Sequence, residues 1–179
     1  MLLSRGICDF LREFIGYIGR EARKHKQAMK NNELELWIET DTLPRYGENT
    51  ARLMTGAGRT SGRKASAQLR ETEAQLEALC KAPDLAGTAA LEWLRDNRYV
   101  LRRDTAGCCR ELRNARKLRK LGDGRLLILA GMEALVRAGG GHADETRLRA
   151  FLEGFQEVCP LEEREVALLP AALRAALIG

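Results

Sequence analysis

The sequence predicts an all-helical fold: an irregular bundle of about six to seven helices behind an N-terminal helical arm. Three observations carry that prediction. Apolar residues recur at steps of three and four over most of the chain, the spacing that gathers side chains on one helix face. Only 4 prolines interrupt 179 residues, and runs of β-branched residues are scarce. Aromatic residues make up 5% against 45% hydrophobic in all, so the core must be built mostly from Leu, Ala, Ile and Val.

The first element is the arm. Over residues 2–18, Leu3, Ile7, Phe10, Leu11, Phe14, Ile15 and Ile18 fall on one stripe, weakened by Gly16 and Gly19. A basic tail follows to Lys30. Such a helix over residues 1–30 can lie on an anionic membrane surface or dock on a partner or on its own core. Residues 31–62 show no sustained period. Leu34, Leu36 and Ile38 alternate with Glu33, Glu35 and Glu39 like a short strand, but no partner strand is visible. Pro44, Gly47, Gly56, Gly58 and Gly62 mark turns, so 31–62 is expected as a loosely structured linker. Gly56 to Lys64 approaches a phosphate-binding loop but fails it: Ala57 stands where the first Gly belongs and Arg63 where the Lys belongs.

Residues 63–179 are expected as the bundle. Ala65, Leu69, Thr72, Leu76 and Leu79 form the inner face of a helix over 63–82, ended by Pro83. Thr88 can cap the next helix, which carries Leu91, Leu94, Val100 and Leu101 inward with Trp93 as its largest side chain. Thr105 to Leu121 repeats the pattern with Cys108, Leu112, Ala115 and Leu118 inside. Its outer face is Arg110, Arg113, Arg116, Lys117, Arg119 and Lys120. Arg125 to Ala138 is the most apolar stretch and reads as a buried central helix, stopped by Gly139-Gly140-Gly141. Asp144 or Ala143 opens the next, with Leu148, Phe151, Leu152 and Phe155 inward. Pro160 restarts the chain into Leu161 to Leu177, where Pro170 must kink or split the helix. The expected core is Trp93, Leu94, Leu112, Leu127, Leu135, Phe151, Phe155 and Leu173.

Charge and chemistry narrow the function. The net charge of +5 is uneven: residues 1–30 hold seven Lys/Arg against three Asp/Glu, and 105–125 seven against two, while 126–179 are acidic. The 105–125 stripe suits an anionic surface or an acidic partner. It holds no aromatic residue, so nucleic acid is not expected. The five cysteines, Cys8, Cys80, Cys108, Cys109 and Cys159, form no Cys-x-x-Cys pair, and His25 and His142 have no ligand-like neighbours. Reduced thiols in a cytoplasmic protein are the expectation. Arg5, Asp9 and Arg12 break the apolar N-terminus, and the run Leu126 to Met132 falls far short of the roughly 20 residues that span a bilayer. No catalytic, cofactor-binding or metal-ligating set is expected.

Two blocks carry a resemblance. The first is Glu92-Trp93-Leu94-Arg95-Asp96-Asn97; the second runs through Pro160-Leu161, Glu165, Leu169-Pro170, Leu173-Arg174 and Leu177-Ile178. In order and spacing they resemble the N-terminal helical region of cyclic β-1,2-glucan synthase-like proteins, over roughly residues 65–179. The family's Tyr-Tyr-Arg-Glu-Leu piece is replaced here by Cys108-Cys109-Arg110-Glu111-Leu112. These are large bacterial enzymes that join a glycosyltransferase region to a glycoside-phosphorylase-like domain. The resemblance implies a non-catalytic helical segment, a fragment or detached accessory domain, whose partners are catalytic domains downstream. It implies structural roles for Trp93, Asp96, Asn97, Pro160, Glu165, Pro170 and Arg174. The thiols and the apolar stripe, read apart from the resemblance, lead us to expect a cytoplasmic protein with residues 2–18 available for contact at the inner face of the membrane. The alternative reading is a free-standing helical interaction module, binding a protein or an anionic surface through the 105–125 stripe.

Overall fold

The computed structural model describes residues 37–54, 56–81 and 89–179. The arm expected over 1–30, the alternation at Leu34 and Leu36, Pro83 and the Thr88 cap lie outside the described residues. Within them the fold is all-α: seven helices and one two-stranded sheet. The helices are α1 (Leu43–Leu53), α2 (Arg63–Lys81), α3 (Ala89–Asp96), α4 (Arg98–Asn114), α5 (Leu127–Ala138), α6 (Glu145–Val158) and α7 (Glu163–Ile178). The strands β1 (Gly56–Thr60) and β2 (Leu118–Leu121) pair antiparallel.

The elements gather into two compact units that do not follow the expected division at residue 62. One is the described part of Met1–Thr55 with Gly131–Leu161; the other is Gly56–Ala130 with Glu162–Gly179.

In the first unit α1 lies across α6. The stretch expected as a linker thus holds an 11-residue helix, opened by Pro44 in its first turn, where a missing N–H breaks no helical bond. Gly47 sits inside this helix rather than in a turn. A Cβ on Gly47 would be driven into the carbonyl oxygen of Phe151, and one on Gly154 into that of Pro44. The two backbones therefore touch, and the missing side chains are what lets them. Phe151 and Phe155 stack at 5.6 Å between centroids, and Tyr46 tilts against Phe151 at 6.1 Å. Asp144, not Ala143, caps α6, its carboxylate accepting from the Arg147 N–H at 2.8 Å.

The buried Arg147 fixes the entry to this unit. Its Nη2 donates to the carbonyls of Ile38 at 2.8 Å and Ala138 at 3.1 Å, and its guanidinium lies 4.4 Å from the centre of the Trp37 ring. The Ile38 N–H donates to Ala138 at 2.9 Å, and Trp37 bridges Gly139. The extended chain at 37–38 thus has a partner after all: the end of α5.

In the second unit α2 packs on α4 through another small-residue crossing. A Cβ on Gly62 would meet the backbone of Leu112, and one turn later Ser66 Oγ donates to the Cys109 carbonyl at 3.0 Å. Leu69, Cys108, Cys109 and Leu112 are buried. Helix α4 also packs on α7, which buries Leu168, Leu169, Ala171, Ala172, Leu173 and Ala175.

Four expectations about this region change. The helix over 105–121 stops at Asn114; the chain turns through Lys117 in the left-handed region at φ 56°, and 118–121 form β2. Leu118 and Leu121 sit three apart, as a helix would place them, but backbone pairing with β1 overrides the local pattern. The chain from 89 breaks at Asn97, whose side-chain N–H donates to the Trp93 carbonyl at 2.8 Å, so that α3 and α4 are separate helices. Trp93 and Leu94 are half-buried rather than core, because short α3 turns Leu91 inward instead. The other six expected core residues are buried. Finally, α7 runs unbroken through Pro170. The proline removes one backbone donor without splitting a helix held along its length by burial.

The α1–α6 crossing should tolerate no added carbon. Gly154→Ala is expected to destabilise the protein by about 3 kcal/mol, since overpacking against backbone cannot relax by rotamer change. A urea melt reads this directly, and a loss below about 0.5 kcal/mol would mean that the crossing opens freely.

Candidate functional site

The densest polar cluster among the described residues begins as a problem in strand pairing. The β1–β2 register places Arg59 opposite Arg119. Like charges facing each other across strands repel. The repulsion is answered by the first turn of α7, which supplies two carboxylates.

Glu165 is fully buried. Its Oε1 accepts from Arg119 Nε at 3.0 Å and from the Arg119 backbone N–H at 3.4 Å. Its Oε2 takes Arg119 Nη2 and the backbone N–H of Glu162, the latter at 3.0 Å. Glu162 is the N-cap residue and completes a capping box with Glu165. Its carboxylate receives the fork of Arg59, at 2.8 and 2.7 Å, and Arg164 Nε at 3.3 Å. Arg59 also donates to the Lys117 carbonyl at 2.8 Å, holding the left-handed turn that leads into β2. Both carboxylates further gain from the positive end of the α7 dipole.

An open cleft of about 670 Å³ lies beside this cluster, lined by Arg59, Glu162, Glu163, Arg164 and Ala167. Its chemistry is that of satisfied ion pairs. The hydrogen bond from Arg59 holds the Glu162 carboxyl below the usual carboxylate range, and the same bond raises Arg59. Neither group is poised to exchange a proton near neutrality. Cys108, the most shifted thiol among the described residues, is pushed up to about 11 by burial, so it is a protonated thiol and a poor nucleophile at neutral pH. Among the described residues no group of three or more His, Cys, Asp or Glu is placed to hold a metal ion. No helix among them is long and apolar enough to cross a membrane.

The residues singled out by sequence take varied places. Glu165 joins the buried clamp. Arg174 lies one turn beyond Pro170, donates to its carbonyl at 3.2 Å, and reaches Glu111 on α4 at 2.7 Å. Asn97 closes the end of α3. Trp93 is half-buried, while Asp96 and Pro160 are exposed. The structure does not bring the seven together at one point. The 105–125 stripe is also divided: Arg119 is drawn into the clamp, and Arg116 folds back onto the carbonyls of Arg113 and Ala115 at the end of α4. Sequence reading missed Arg59 and Glu162. The signal for Glu162 was present, as Glu162-x-x-Glu165 has the spacing of a capping box. Arg59 had no local signal.

Compared with protein-family models, with curated proteins and with solved structures, the chain matches none.

Two outcomes follow from this geometry. Glu165→Ala removes one partner of a buried pair and unmakes the cap, with an expected loss of about 3–5 kcal/mol in a denaturant melt. Arg59→Ala opens only the exposed fork and should be much milder; equal losses would contradict the assigned burial. The second outcome concerns pH. Because the Glu162 carboxyl is lowered in the fold, its stabilising contribution is complete above the ordinary value near 4.5 and drains as pH falls through its lower folded value. The stability gap between wild type and Glu162→Gln should therefore close on acidification, as read from denaturant midpoints at stepped pH. A gap that stays constant down to the acid limit would refute the ion pair.

Proposed function

We propose that this chain is a non-catalytic helical segment of a cyclic β-1,2-glucan synthase-like carbohydrate enzyme, acting with catalytic domains that lie downstream. One observation supports this reading most. The closing block meets the piece that keeps Arg110-Glu111-Leu112 of the family's pattern: Arg174 pairs with Glu111 at 2.7 Å, and Leu112 and Leu173 are buried where α4 packs on α7.

Three of the seven motif residues make contacts within the fold. Glu165 closes the α7 cap, Asn97 ends α3, and Arg174 holds the Pro170 carbonyl. On this reading the chain's part in such an enzyme is to support and to position.

The purified chain is expected to turn over neither a sugar nucleotide nor, with phosphate, a β-1,2-linked glucan oligosaccharide. When catalytic domains of such an enzyme are supplied as a separate polypeptide, they should co-purify with it. Turnover by this chain alone, absent from a heat-treated control, would overturn the non-catalytic assignment. Failure to bind the catalytic domains would overturn the partnership.

A further inference from the structure

We infer that the outer face of α4 is a contact surface for an anionic lipid bilayer. At 100° per residue, Arg98, Tyr99, Arg102, Arg103, Ala106, Arg110 and Arg113 fall within an arc of about 140° along about 22 Å of helix, whose Arg98–Arg102 edge also holds Cys109, buried against Ser66 of α2. All seven are exposed, Tyr99 by 75%. No carboxylate falls within the arc. The two acids of α4 lie outside it: Asp104 is buried, and Glu111 is engaged by Arg174. Arg102 reaches Glu77 on α2 at 3.1 Å and Arg103 reaches Asp104 at 3.1 Å. Arg98, Arg110 and Arg113 make no ion pair among the described residues.

This face differs from the 105–125 stripe read from sequence. It begins earlier and gains an aromatic residue, while losing Arg116, Arg119 and Lys120 to the turn, the clamp and β2. Tyr99 and Ala106 lie near the middle of the arc, with arginines on both sides. A small residue on the crest allows close approach. A tyrosine beside it suits the headgroup layer, where its ring and hydroxyl are both satisfied. Arginine forks on the flanks match lipid phosphates, and their stems are long enough to bring both flanks to one plane.

Charge decides among the occupants. The unit containing α4 has eighteen Lys/Arg against twelve Asp/Glu, so a second copy is repelled. Residues 1–30 are basic as well, so charge does not favour them as its partner. A nucleic-acid groove would have to straddle the helix and meet α2, whose Glu77 already flanks it and whose Glu71 and Glu73 lie further along the same helix. A plane touches only the crest. The inference stands whether or not the chain belongs to a glucan enzyme.

The test is co-sedimentation of the full chain with vesicles of phosphatidylcholine, with and without phosphatidylglycerol, at low and high salt. Binding should require the anionic lipid and weaken with salt. Arg98→Gln, Arg110→Gln and Arg113→Gln combined should reduce partition about a hundredfold, near fivefold per residue. The same three changed to Lys should stay within about threefold of wild type, which separates lost charge from lost fold. Failure to bind anionic vesicles would overturn the inference. So would full binding by the Gln triple variant, which would place attachment elsewhere in the chain, or tighter binding to a DNA duplex or to polyglutamate than to the vesicles.

Discussion

Helix α1 can lie on α6 only because neither Gly47 nor Gly154 carries a Cβ. The same device recurs where Gly62 meets Leu112 and α2 settles on α4. A chain with so few aromatic residues gains little from large side chains filling wide gaps between helices. Bringing backbones together recovers dispersion contacts and leaves no void for Leu and Ala to span. The rest of the first unit follows from that approach: Phe151 and Phe155 stack beside the crossing, and Tyr46 closes over Phe151.

The second unit depends on a different constraint. Pairing β1 with β2 sets two arginines opposite each other, and the first turn of α7 must answer them. Glu165 does so from complete burial, Glu162 from the cap position, and the two share one box of hydrogen bonds. One set of groups therefore starts a helix, neutralises a strand pair and fixes the turn at Lys117. Removing any single charge strands its partners, which is why a cluster of this kind supports the fold.

These contacts bear on what the protein can do. The perturbed groups are held far from neutrality: Glu162 is kept ionised by Arg59, and Cys108 is kept protonated by burial. The exposed arginines of α4 are the contrasting case. Three of them have no partner of opposite sign among the described residues, so the face is charged and unspent.

The sequence by itself determined the helical class, the buried α5 and six of the eight expected core positions, because each rests on spacing within one element. The residues 118–121 and 43–53 show where that reasoning stops. Leu118 and Leu121 fit a helix as well as a strand, and only pairing with β1 chose between them. Gly47 and Pro44 read as turn residues, yet one allows a helix crossing and the other begins the helix. Half of the candidate site was legible: the Glu162-x-x-Glu165 spacing is local. Arg59 and Arg119 are brought to it from 103 and 46 residues away. Periodicity reports which face of an element is apolar, but it carries no information about which distant backbone will arrive to pair with it, crowd it or neutralise it. Those choices belonged to the tertiary structure.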